Sequence, residues 1–151
     1  MKFWGILGVL FHFLHFSAGY DYGEVLGEAL RFYEANRAGK LPSDNRVPWR
    51  GDAALDDEIV GGYFDAGDHV KFGFPMAAMT TILAWGGVTF PEGYEQSGNA
   101  EWFDKTLRWS TDYFIAAHVG DHELVGQIGD GNLDHAYWGR PEEMTMEKTC
   151  L

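Results

Sequence analysis

The sequence predicts an all-α fold in which long loops carry the functional residues. Three segments repeat apolar side chains at helical spacing, and the stretches between them are rich in glycine, proline and acidic residues. The chain has 151 residues, which suffices for one domain at most. Its hydrophobic content of 46% and charged content of 23% are typical of a globular protein and exclude a disordered one.

The first 19 residues differ in character from the rest of the chain. Lys2 is the only charged residue before Asp21, and residues 3–16 are apolar apart from two histidines. Residues 17–19, Ser-Ala-Gly, provide the small side chains that a signal peptidase requires, so we predict a secretory signal peptide over residues 1–19 and secretion of the remainder. A membrane anchor is the alternative, but about 14 apolar residues fall short of the roughly 20 that span a bilayer.

The first helix is predicted over residues 21–38. Asp21 followed by Glu24 resembles a capping box, and Gly39 is typical of a helix end. Its expected buried face consists of Tyr22, Val25, Leu26, Ala29, Phe32 and Tyr33.

Two further helices are predicted over residues 74–85 and 99–118. Gly86-Gly87 is expected to end the former, and Asn99 is expected to cap the latter. We expect Met76, Met79, Ile82 and Leu83 to form the buried stripe of the first of these helices. Residues 124–128 are predicted to be a short extended segment. Residues 41–71 show no sustained periodicity, and because a long loop in a compact domain is usually functional, this loop is the predicted location of the site.

The net charge of −12 and the single cysteine, Cys150, limit the possible partners and stabilising bonds. An acidic chain repels nucleic acids and anionic membranes, so we expect neither as a partner and favour a neutral one such as a polysaccharide. One cysteine cannot form an internal disulfide. The fold must therefore be stabilised by a packed core or by further protein chain beyond this sequence.

The most informative motif is Asp65-Ala66-Gly67-Asp68-His69. Two carboxylates three residues apart, with Gly67 permitting a tight turn between them, can converge on one water molecule or cation. A water held in this way is oriented, and one carboxylate can take its proton. Two alternative explanations of this motif stay open at this point. Its aspartates are ordinary turn residues, or they belong to a calcium loop that also includes Asp56, Asp57 and Glu58.

Several longer motifs occur in order from Tyr22 to about Lys148, and together they resemble family 9 glycoside hydrolases. They are YG at residue 22, FYEA at residue 32, RAGKLP at residue 37, WRGD at residue 49, GGYFDAGDHVKF at residue 61, FPMA at residue 74, DHAYWGRP at residue 134 and MTM at residue 144. The resemblance covers nearly all of the chain after the predicted signal peptide.

The resemblance implies a partial (α/α)₆ barrel and inverting hydrolysis of β-1,4-glucan. No cofactor is expected, and no metal site is expected because the calcium ligands that occur in the family match no residue that can be placed in this chain. It implies that Asp68 is the general base and that Asp65 helps to hold the water. His135 and Trp138 fall in a segment that borders the substrate cleft, where they are expected to contact sugar, with packing or loop anchoring as the alternative. His69 is expected to be a structural neighbour of the two aspartates.

The resemblance also implies a catalytic acid, a glutamate near the C-terminal end of the family's domain. No glutamate of this chain lies in a matching motif. We therefore expect the chain alone to be inactive, and a non-catalytic glucan-binding protein is the second hypothesis for its function.

Overall fold

The computed structural model describes residues 19–146 and 148–151, so the predicted signal peptide lies, apart from Gly19, outside the described residues. Four helices form most of the regular structure: α1 (Tyr22–Ala35), α2 (Gly73–Thr89), α3 (Pro91–Gln96) and α4 (Ala100–Ala117). The shorter elements are β1 (Lys71–Phe72), β2 (His118–Gly120), β3 (Glu123–Leu124), β4 (Gln127–Ile128), α5 (Gly131–His135) and a 3₁₀ turn at Pro141–Glu143. The helical fold class predicted from the sequence is confirmed. No helix within the described ranges is both long and apolar enough to cross a bilayer.

Helix α1 begins as predicted, because the Asp21 carboxylate accepts hydrogen bonds from the N–H groups of Gly23 and Glu24 at 3.0 and 3.1 Å. It ends at Ala35, earlier than predicted. The next residues leave the helical path because Arg37 and Gly39 form isolated antiparallel bridges with two distant loop residues, Tyr63 and Ala53. The predicted buried face is also largely wrong, since Tyr22, Val25, Ala29 and Phe32 are exposed.

Helix α2 continues to Thr89, so the prediction that Gly86-Gly87 ends it is wrong. The glycine serves packing instead: a Cβ atom at residue 87 would lie 2.1 Å from the ring of Phe103 on α4. Glycine lets the two helices approach closely at this point. The predicted buried stripe of α2 holds at Met76 but is wrong at Met79 and Ile82, which are exposed.

Helix α4 has nearly the predicted bounds, but Asn99 does not cap it with a side-chain hydrogen bond. The Asn99 amide instead donates to the carbonyl oxygen of Gly23 at 3.0 Å and so ties the start of α4 to α1. The short helix α3, which the sequence analysis missed, occupies the connection between α2 and α4.

The core lies where α2 and α4 meet the loop that joins α1 to β1. Six buried side chains form its main cluster: Ile59, Tyr63, Met76, Tyr113, Ala117 and Ile128. Two hydrogen bonds fasten the loop to α4, from the Tyr63 hydroxyl to the Thr106 carbonyl at 3.0 Å and from the Trp109 indole to the Gly62 carbonyl at 2.9 Å.

The strands form two small antiparallel pairs, β1 with β4 and β2 with β3. The extended segment predicted over residues 124–128 therefore divides between two pairs. The pair of β1 and β4 bears on the candidate site, because β1 follows that site directly in sequence. Strand β4 also contacts residue Cys150 through an isolated bridge from Ile128.

Candidate active site

The loop between α1 and β1 carries the candidate site, as predicted, and it contains no helix or strand beyond the isolated bridges. Its path depends on Gly61 and Gly62, whose φ angles of 101° and 73° lie in the left-handed region that favours glycine. A Cβ atom at Gly62 would also lie 2.8 Å from the ring of Tyr113. The backbone can therefore press against α4 just before it reaches the two aspartates.

Asp65 and Asp68 lie on one short bend that its own backbone closes. The Asp65 N–H donates to the Val70 carbonyl at 3.1 Å, and the Val70 N–H donates to Asp68 Oδ1 at 3.3 Å. Gly67, which the sequence analysis took as the turn-former, does not adopt a positive φ. The closing hydrogen bonds therefore shape the turn, in which Asp65 is exposed and the Asp68 side chain is 16% exposed.

The two carboxylates influence each other electrostatically. Partial desolvation raises the pKa of Asp65 above its ordinary value, and the negative charge of Asp68 raises it further. A carboxyl group whose charged form is disfavoured in this way binds a proton more readily. The arrangement thus suits a pair of acceptors that hold one water molecule between them.

His135 and Trp138 occupy different positions relative to the aspartates. His135 ends α5, and its Nε2 atom lies 3.4 Å from Asp68 Oδ2, a long contact that places the imidazole at the edge of the pair. Trp138 is 99% exposed. The indole therefore does not pack against the described residues of this chain, and its contact with sugar stays a prediction.

His69 is a structural neighbour of the pair, as the resemblance implies. Burial lowers the pKa of its imidazole, although the nearby carboxylate of Asp134 opposes this effect. The ring packs edge-on against Phe64 and Tyr137, with centroid distances of 5.5 and 5.8 Å. It is held among aromatic side chains and fixes the loop from within.

Asp134 and Lys148 contact the same loop, and the sequence analysis did not single them out. The His69 N–H lies 3.0 and 3.2 Å from the two oxygens of Asp134, and the Lys148 ammonium donates to the His69 carbonyl at 2.9 Å. Both residues are far from His69 in sequence. No local pattern marks them, although Asp134 begins the DHAYWGRP motif.

A buried ion pair lies next to Lys148. The Lys71 ammonium, which is fully buried, lies 2.7 Å from Asp57 Oδ2 and donates to the carbonyls of Ile59 and Gly61. Burial lowers the pKa of Lys71, and Asp57 counteracts it. Because Asp57 neutralises this lysine, it is not free to act in the calcium loop that the sequence left open.

Three side chains could approach a cation together, since one atom each from Asp68, Asp134 and His135 lies within 4.8 Å of the others. Both oxygens of Asp134 already face the His69 N–H. Among the described residues, no fourth side chain of this kind accompanies these three.

A sequence profile of the family described as "Glycosyl hydrolase family 9" matches residues 22–151. Endoglucanase 15 of Arabidopsis thaliana is 51% identical over 141 residues, which cover 87% of this chain and 28% of that protein. Endoglucanase A of Bacillus pumilus is 47% identical over 140 residues, covering 89% of this chain and 21% of that protein. The chain thus spans about a quarter of the length of these relatives.

Solved structures agree with this likeness. The endoglucanase of the termite Nasutitermes takasagoensis, solved at pH 2.5, superposes with a TM-score of 0.87 at 52% identity, over 87% of this chain and 32% of that one. The endoglucanase CelQ from Clostridium thermocellum, solved in complex with cellotriose, superposes with a TM-score of 0.81 at 43% identity, over 87% and 22%. The predicted partial (α/α)₆ barrel is confirmed. On its motifs, its fold and the profile match over nearly the whole described region, the chain belongs to glycosyl hydrolase family 9.

Proposed function

We propose that this chain is the N-terminal portion of an inverting endo-β-1,4-glucanase in which Asp68 is the general base and Asp65 helps to hold the attacking water. The observation that carries the proposal is the bend that presents both carboxylates together, with Asp68 braced by the Val70 N–H and Asp65 more exposed. A water between two such acceptors is oriented, and Asp68 can accept its proton as the oxygen attacks the anomeric carbon.

The substrate class follows from the relatives and from the side chains that flank the pair. CelQ was solved with cellotriose, and the curated relatives are named endoglucanases. Trp138 offers a free aromatic face on which a sugar ring can stack, and His135 lies beside Asp68, where it can donate a hydrogen bond to a sugar hydroxyl. We therefore assign both residues to binding of β-1,4-linked glucan.

The catalytic acid is assigned to protein outside these 151 residues. In an inverting glycosidase the acid and the base lie roughly 6.5–9.5 Å apart on opposite sides of the scissile bond. Glu142, a candidate within the chain, is engaged in structure: it accepts hydrogen bonds from Arg50 and from the Gly51 N–H at 2.9 and 2.7 Å. Burial would raise its pKa, but these hydrogen bonds outweigh burial and lower it to about 2, so it is ionised and unsuited to donate a proton.

The proposal is tested in a chimeric enzyme, defined here as the termite endoglucanase whose matching N-terminal segment is replaced by residues 20–151 of this chain. Asp68→Asn keeps the shape of the side chain but removes the proton acceptor. We expect its hydrolysis rate on a soluble β-1,4-glucan, measured as new reducing ends, to fall by about 10²–10⁴-fold with binding of the glucan largely retained.

The matched control is Asp121→Asn, the same chemical change at an exposed turn between β2 and β3. It should keep the activity of the unmodified chimeric enzyme. An Asp68→Asn variant that retained more than half of that turnover would show that Asp68 is not the base.

We further propose that residues 1–19 are a signal peptide and that the protein acts outside the cell, on the layout of Lys2, the apolar run and the small residues before Tyr20. Mass spectrometry of the mature N-terminus checks this proposal. A protein that begins at Met1 and stays in the membrane fraction would contradict it.

The second candidate function is non-catalytic glucan binding, which the exposure of Trp138 and Trp49 favours. The two indoles lie on connected segments, because the Arg140 guanidinium donates to the Trp49 carbonyl at 2.7 Å. Binding of a cello-oligosaccharide to the chain without any turnover in the chimeric enzyme would favour this candidate over hydrolysis.

A further inference from the structure

The peptide unit on each side of His69 is held by a charged side chain. Asp134 accepts from its N–H, and Lys148 donates to its carbonyl. Both side chains are almost completely shielded from solvent, with exposures of 5% for Asp134 and 8% for Lys148. Hydrogen bonds to charged groups in such places are stronger than those between neutral groups and define geometry more closely.

The two charged groups are themselves fixed. The Lys148 ammonium lies 3.9 Å from Asp57 Oδ1 and 4.9 Å from the centroid of the Phe64 ring. Asp134 lies within α5, whose N-cap residue is Asp130, and the Asp134 N–H donates to the Asp130 carbonyl at 2.9 Å. The His69 peptide is therefore attached to two elements that lie far along the chain.

His69 immediately follows Asp68, so fixing its N–H also fixes the peptide that joins the two residues. The orientation of this peptide determines where the Asp68 side chain leaves the backbone. The loop offers few other restraints at this point, because Asp65, Ala66 and Gly67 are exposed. Without the contacts to His69, the direction of the Asp68 carboxylate would depend mainly on the 3.3 Å hydrogen bond from the Val70 N–H and on the long 3.4 Å contact with His135 Nε2.

We propose that Asp134 and Lys148 are positioning residues that clamp the backbone of His69 from two sides and thereby aim the Asp68 carboxylate at the attacking water. The inference rests on the general-base role of Asp68 proposed above. It assigns to Asp134 and Lys148 an effect on the rate of the chemical step, exerted through Asp68, in addition to any effect on folding.

The test uses Lys148→Met in the chimeric enzyme, because methionine fills a similar volume but cannot donate to the His69 carbonyl. A misplaced catalytic group lowers the rate of reaction more than it weakens ground-state binding. We expect kcat to fall by about 10-fold with KM changed less than about twofold. Lys148→Arg keeps a charged donor and should recover most of the rate, whereas Lys40→Met, the same change at an exposed lysine, should have no effect.

A double variant distinguishes positioning from general stabilisation. If Lys148 acts through Asp68, adding Lys148→Met to Asp68→Asn should cause no further loss of the residual rate, because no base remains to be aimed. A further 10-fold loss in the double variant, or unchanged kcat in Lys148→Met alone, would overturn the inference. If Lys148→Met loses the helical circular dichroism signal of the chimeric enzyme, Asp134→Asn replaces it in the experiment and is judged by the same criteria.

The two proposals fail in different ways. If Asp68→Asn keeps its activity, the proposed function is wrong, whatever Lys148→Met does. If Asp68→Asn is inactive while Lys148→Met matches the Lys40→Met control, the general base stands and only the clamp is refuted.

Discussion

Two regions of the molecule differ in how far their side chains find partners within this chain. One is the loop that carries Asp65 and Asp68, and the other is the set of helices around it. Around the loop, buried charges find partners inside the chain: Lys71 pairs with Asp57, and Arg50 with Glu142. The helices instead leave large apolar side chains in solvent, including Phe74, Ile82, Trp85 and Val88 on α2. An exposed apolar surface of this extent is typical of a face that further protein covers.

This difference indicates that the loop with the two aspartates is held by contacts within this chain, including distant ones from Asp134, Glu142 and Lys148, whereas the barrel is incomplete. In the termite endoglucanase the matching region is 32% of the chain. Asp65 and Asp68 belong to the present sequence, and so do Asp134 and Lys148, which contact the backbone of the residue next to Asp68.

The largest effect on stability is expected at the anchor of the loop, Glu142. In the chimeric enzyme, Glu142→Gln should lower the free energy of unfolding by about 2–3 kcal/mol at pH 7, because the hydrogen bonds from Arg50 and Gly51 lose their charged acceptor. Thermal unfolding monitored by circular dichroism measures the change. Glu143→Gln, at the exposed neighbouring residue, is the matched control and should change little.

The same variant predicts a pH dependence. The pKa of Glu142 is lowered to about 2 in the folded protein from its ordinary value of 4.5, so the folded state favours the charged form. The resulting stabilisation is complete above pH about 4.5 and is lost as the pH falls towards about 2. The difference in unfolding free energy between wild type and Glu142→Gln should therefore narrow from pH 5 to pH 3. A constant difference over this range would contradict the assigned role of the carboxylate.

A smaller effect is expected where α2 meets α4. Gly87→Ala places a methyl group where only 2.1 Å separates it from the Phe103 ring, and the ring or the helices must shift. Overpacking of this kind costs about 1–3 kcal/mol. Gly93→Ala in α3 is the matched control, because no atom lies within 4 Å of the added methyl group, and it should be neutral or slightly stabilising. Equal stability of the two variants would refute the close approach of α2 and α4.

The sequence predicted features that depend on neighbouring residues and missed those that depend on distant contacts. The cap at Asp21, the bounds of α4 and the irregular loop all follow from local chemistry. The end of α2 was misjudged because Gly87 accommodates Phe103, which no local pattern reveals. Asp134 and Lys148 were missed for the same reason, since they lie 65 and 79 residues from His69.

The central claim is that this chain supplies the general base and its supports but requires additional protein, with the acid and the remaining helices, to hydrolyse glucan. The most direct measurement compares purified residues 20–151 with the chimeric enzyme and with the Asp68→Asn form of residues 20–151, by the release of reducing ends from a soluble β-1,4-glucan. We predict turnover by the chimeric enzyme and none by residues 20–151 above the Asp68→Asn background. Turnover by residues 20–151 clearly above that background would mean that a glutamate of this chain serves as the acid, and would contradict the claim.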